Sequence, residues 1–174
     1  MDDVLDILKL AVDKERMRKA AYEQAAAATH HALARLTFAS LAKQEAAHER
    51  YLKAYYGKQV AQEGWPAPGE MGVQDDMMEV VKEIFKQATA QIKEAGAKDE
   101  GLTAVYDAGI AAESESVEFY TDALSRATEP NAQAFFETLV KAEKLHLKLL
   151  IDTQEFLDDT EKWFFDEENW IVEG

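Results

Sequence analysis

The chain has 174 residues, with 34 Asp and Glu against 19 Lys and Arg, a net charge of −15. Such an acidic surplus repels nucleic-acid phosphates and anionic lipid surfaces, so neither a nucleic acid nor a membrane is expected as a partner. Cysteine is absent, which excludes disulfides, thiol redox chemistry and any Cys-ligated iron centre. The length suits one domain, expected over 1–174, with a single core and no need for a covalent staple. The opening MDDVLDILKL lacks the charged-then-apolar pattern of a secretory leader, and no apolar run of about 18 residues occurs, so a cytoplasmic protein is expected.

Helix 1 is predicted over about residues 3–29, from a stripe of Leu8, Ala11, Val12, Glu15 and Tyr22 in a run without Gly or Pro. A bend is expected near Thr29 to His31, and His30 and His31 there are read as exposed and not as ligands. Helix 2 carries Phe38, Leu41, Glu45, His48, Leu52 and Tyr55 on one face, with Gly57 able to stop it. These two helices make hairpin 1, about 3–56.

Residues 57–97 form the crossover. Gly64, Pro66, Pro68, Gly69 and Gly72 mark a loop through residue 74, and Asp75 then caps a short helix with Met78, Val81, Phe85, Ala88 and Ile92 inward, closed by Gly96. Hairpin 2, about 98–158, follows. Its helix 3 presents Tyr106, Ile110, Glu113, Val117, Tyr120 and Leu124, and its helix 4 begins at Pro130 and presents Phe136, Leu139, Glu143, His146 and Leu150. Gly109 inside helix 3 costs about 1 kcal/mol against Ala, which points to a close helix contact. In the tail, 159–174, Trp163, Phe164, Phe165 and Trp170 are expected to cap the bundle or bury in a dimer contact.

The two hairpins repeat one another. Glu15, Tyr22, Glu45 and His48 recur as Glu113, Tyr120, Glu143 and His146, each 98 positions later, and Phe38, Leu41 and Leu52 recur as Phe136, Leu139 and Leu150. The carboxylates therefore lie on core-facing stripes. A Glu and a His three residues apart share a helix face, roughly 5–6 Å apart at Cβ, so both can reach one ion. Four glutamates balance two divalent cations, whereas four unpaired carboxylates in an apolar core would cost several kcal/mol each or become protonated. A cysteine-free set rich in glutamate suits iron or manganese better than structural zinc. Tyr22 and Tyr120 are expected either to fill the core or to bond a ligand carboxylate and orient it.

On Glu15 with Tyr22, EAAH at 45–48, Glu113 with Tyr120 and EKLH at 143–146, the chain resembles the rubrerythrin-like branch of the ferritin-like superfamily over nearly its whole length. The resemblance implies an all-α fold: a ferritin-like antiparallel four-helix bundle of two duplicated hairpins, with an extra short helix in the crossover and a short aromatic C-terminal tail. It implies a di-iron centre, two iron ions with manganese or a mixed pair also accommodated. Glu45 and Glu143 would be the bridging ligands, and Glu15, His48, Glu113 and His146 the terminal ones. Which terminal Glu shares an ion with which His is left open.

The implied activity is a non-haem di-iron peroxidase, with Fe(II) reducing hydrogen peroxide or dioxygen. The alternative is iron binding and storage with ferroxidase activity, and manganese catalase-like chemistry is a third reading of the same ligands. Two departures from the family bear on this. No Cys-ligated rubredoxin domain is present, so an external electron-donor protein is expected. The extra Glu that rubrerythrins carry three positions after the metal-binding Glu of helix 3 is Ser116 here, which weakens the case for efficient peroxide turnover. A homo-oligomer is expected, a dimer first.

Overall fold

The structure, a computed structural model, describes residues 2–66, residue 84 and residues 100–158. The described residues form four long helices: α1 (Asp2–Ala28), α2 (Ala32–Val60), α3 (Glu100–Arg126) and α4 (Pro130–Asp158). Helices α1 and α3 have 27 residues each and α2 and α4 have 29 each, so every boundary of the second hairpin lies 98 positions after its counterpart in the first. The repeat seen in the polar residues thus extends to the ends of the helices. The fold is the expected ferritin-like bundle of two hairpins.

Local chemistry sets these limits. At the first bend the Thr29 hydroxyl accepts the His31 N–H at 3.1 Å, His31 is extended, and its carbonyl accepts the Arg35 N–H at 3.0 Å to start α2. Pro130 opens α4, where its fixed φ and missing N–H carry no penalty. His30 is exposed as expected, but His31 is not: it is half-buried with Nδ1 enclosed, and burial holds its pKa below the usual imidazole value. Gly57 does not end α2. The helix runs one turn further to Val60 and closes with Glu63 N–H on Lys58 O and Gln62 N–H on Gln59 O, while Gln62 takes a left-handed φ of 59°. That paired closure satisfies the last carbonyls, and a left-handed residue at this position is what permits it.

The core falls into two apolar clusters with a polar layer between them. One holds Tyr22, Leu33, Phe38, Leu41, Tyr106, Leu149, Leu150 and Phe156, and the other Ile7, Leu8, Leu52, Tyr55, Tyr120, Phe135, Phe136 and Leu139. Along α1 and α4 the chain passes from the second cluster to the first, and along α2 and α3 from the first to the second. Helices α2 and α3 therefore run parallel, and the end of α2 and the start of α3 lie at opposite ends of the bundle. Between them Ile84 is described; it is helical and buried in the first cluster. The crossover helix expected after Asp75, with Met78, Val81, Phe85, Ala88 and Ile92 inward, lies outside the described residues, as does the tail with Trp163, Phe164, Phe165 and Trp170.

Gly109 sits where the two hairpins meet. A Cβ there would lie 3.2 Å from Leu150 Cδ1 and 3.5 Å from Tyr22 Cε1, the close approach that its place inside a helix predicts. No helix among the described residues is long and apolar enough to cross a membrane.

Candidate metal centre

Each helix delivers its polar residues to mid-height from the same register. The inward stripe of α1 is Leu8, Ala11, Glu15, Arg18 and Tyr22, and that of α3 is Tyr106, Gly109, Glu113, Ser116 and Tyr120, both stepping by three and four residues. Helices α2 and α4 add Glu45 with His48 and Glu143 with His146. All six residues singled out in the sequence are buried at mid-bundle. Glu45, His48, Glu143 and His146 each offer one donor atom within 4.8 Å of the others.

The distances divide the cluster into two lobes. His48 Nδ1 lies 3.5 Å from Glu15 Oε2 and 3.1 Å from Glu143 Oε1. His146 Nδ1 lies 3.8 Å from Glu113 Oε2 and 2.9 Å from Glu45 Oε1. Glu143 turns its other oxygen toward His146 at 3.7 Å, and Glu45 its other oxygen toward His48 at 3.9 Å. Glu45 and Glu143 thus span both lobes, while Glu15 pairs with His48 and Glu113 with His146. The imidazoles stack, ring centres 5.2 Å apart.

Glu15 Oε2, Glu45 Oε1, Glu113 Oε2, both oxygens of Glu143 and both Nδ1 atoms are buried without a well-directed hydrogen bond. Buried polar atoms are otherwise nearly always satisfied. Lone pairs from oxygen and nitrogen aimed at a common space are what a pair of divalent cations requires, so the residues fit the group that the ligand pattern implies.

The tyrosines cross between hairpins. The Tyr22 hydroxyl donates to Glu113 Oε1, and the Tyr120 hydroxyl donates to Glu15 Oε1. Each phenol thus holds one carboxylate oxygen and leaves the other facing a lobe. Burial, with the bonded carboxylates, pushes both tyrosine pKa values up, so both remain donors.

Sequence reasoning missed Arg18. It is 8% exposed and reaches all four carboxylates: Nη2 is 2.5 Å from Glu15 Oε1 and 3.7 Å from Glu143 Oε2, and Nε is 3.4 Å from Glu45 Oε2 and 4.0 Å from Glu113 Oε2. Its Nη1 donates to Ser116 Oγ, the residue 98 positions on. The signal was present: Arg18 occupies the step of the α1 stripe between Glu15 and Tyr22, where an arginine must be buried.

These neighbours divide the charge. Burial and the carboxylates of Glu15 and Glu143 push Glu45 well above the usual range, and burial with Glu143 and Glu45 does the same to Glu113. For Glu143 burial also pushes upward, but His146, His48 and Arg18 overcome it and hold the group well below that range. Glu15 is likewise held low against burial and Glu143, by Glu45, His48 and Arg18. Burial would lower His48, yet Glu143 and Glu15 raise it well above the usual imidazole value.

A family model described as Rubrerythrin matches residues 67–153, half of the chain. The matched span includes Glu113, Glu143 and His146; Glu15, Glu45 and His48 precede it and are their 98-residue counterparts. Neither curated proteins nor solved structures gave a match.

Proposed function

The chain belongs to the rubrerythrin family, and from that membership together with the buried Glu and His cluster we propose that it is a di-iron peroxidase that reduces hydrogen peroxide. The observation that carries this reading is the convergence of unbonded carboxylate oxygens and both Nδ1 atoms into two lobes spanned by Glu45 and Glu143. Glu15 and His48 would complete one iron site and Glu113 and His146 the other. When bound, two Fe(II) ions supply the two electrons that reduce one peroxide to water. Tyr22 and Tyr120 fix the outer oxygens of Glu113 and Glu15, and the apolar clusters on either side keep bulk water from the layer. With no cysteine in the sequence, re-reduction is assigned to a separate electron-donor protein, and the working assembly to a homodimer.

One observation favours a second reading, iron binding with ferroxidase activity. Ser116 stands where the family carries an added carboxylate, and it is occupied with Arg18. The test begins with metal analysis of protein purified without added metal, expected to give two ions per chain. Anaerobic Fe(II) loading, followed by equal additions of peroxide and of dioxygen, is expected to give faster oxidation by peroxide. Faster oxidation by dioxygen, in a multi-subunit cage holding mineral iron, would replace the peroxidase with the storage protein.

A further inference from the structure

Arg18 gives the cluster a cation of its own. Its guanidinium lies within 4.0 Å of an oxygen from every one of Glu15, Glu45, Glu113 and Glu143, and it is held from behind by Ser116 Oγ. No other described Lys or Arg reaches those four carboxylates. The site therefore already contains one positive charge before any metal enters, in a layer where charges are screened weakly.

Two divalent ions would neutralise four glutamates, and the guanidinium would then be a surplus buried charge without its partners. One divalent ion neutralises only two of the four, which leaves the guanidinium carboxylate partners to keep. The guanidinium reaches oxygens that face both lobes: Nε is 3.4 Å from Glu45 Oε2 on the His48 side, and Nη2 and Nε are 3.7 Å from Glu143 Oε2 and 4.0 Å from Glu113 Oε2 on the His146 side. We propose that Arg18 is a resident counter-cation standing in for the second metal ion, so that the first ion binds with the guanidinium in place and the second binds only as the guanidinium withdraws from the carboxylates. This rests on the metal-centre reading and adds to it a stepwise loading and the residue that sets it. Ser116, the short counterpart of Arg18, leaves room for the guanidinium and gives it a hydrogen-bond acceptor to keep as the carboxylates are withdrawn.

Zn(II), which is redox-silent, is the probe. Competition titrations of the full-length protein are expected to show a second ion bound at least about tenfold more weakly than the first, each tenfold being about 1.4 kcal/mol. Arg18→Met keeps much of the stem and removes the charge; it is expected to tighten the second ion by about tenfold or more while lowering the melting temperature of the metal-free protein. Arg18→Lys, which keeps the charge, is expected to retain the weak second step. Equal second-ion affinities in wild type and Arg18→Met would overturn the inference and leave the metal centre standing. Absence of Zn(II) binding in wild type would remove both.

If Arg18→Met does not fold without metal, the wild-type protein still decides the matter. The Arg18 side-chain N–H resonance, assigned with the Arg18→Lys variant, should hold through the first equivalent of Zn(II) and move during the second. A resonance that moves fully with the first equivalent, or with neither, contradicts the assignment.

Discussion

Glu143 is enclosed between two imidazoles with both carboxylate oxygens facing the lobes, and Glu45 mirrors it from the opposite helix. Such carboxylates are tolerable in an apolar core because cations and protons compensate them. Orientation is the work of the tyrosines, which cannot be replaced by water in so enclosed a layer. Tyr22→Phe and Tyr120→Phe are each expected to weaken metal binding by about 10- to 100-fold, measured by chelator competition, with little change in helix content. The six buried Glu and His residues were legible in the sequence because each has a counterpart 98 positions away; Arg18 was marked only by its place on the α1 stripe, because its counterpart is Ser116 and a single buried arginine leaves no repeat. The pairing of Glu15 with His48 was also beyond the sequence, since helix phase fixes which face a residue occupies and not which neighbour it meets across the bundle.

The helices themselves were readable from stripe and punctuation. Pro130 marks the start of α4, and the 98-residue offset carries that boundary back to Ala32, where the sequence has no breaker of its own. The end of α2 was misread because a glycine in a last turn costs only about 1 kcal/mol when the closing hydrogen bonds can form beyond it. Those bonds place Gln62 at a φ of 59°, a conformation in which a Cβ is unfavourable. Gln62→Gly is therefore expected to stabilise the protein by about 0.5–1 kcal/mol, seen as a small rise in the urea midpoint at unchanged slope. A fall would mean that the Gln62 side chain contributes something its exposed position does not suggest.

At the scale of the molecule, two apolar clusters enclose a charged layer, so stability is tied to the occupants of that layer. In the metal-free protein Glu45, Glu113 and His48 hold protons more tightly than in the unfolded chain. Their contributions are complete below the ordinary values of 4.5 and 6.5 and are lost as pH rises through the elevated folded values. Glu15 and Glu143 are shifted the other way, so theirs are present above 4.5 and lost only as pH falls below it. The metal-free melting temperature is thus expected to fall as pH rises above these ordinary values, whereas bound metal takes the place of the protons and its stabilisation grows over the same range. Calorimetry with and without metal across that range checks this; a gap that narrows as pH rises would contradict the charge assignment.

The contact between Arg18 and Ser116 has a consequence for how such a site can be assembled. Two separate copies of one hairpin, facing each other across a two-fold axis, would have to carry the same residue at both positions. Two arginines would collide head-on there with like charge, and two serines would bring no cation at all. Joining the halves in one polypeptide lifts that symmetry requirement, so one half supplies the guanidinium and the other its acceptor.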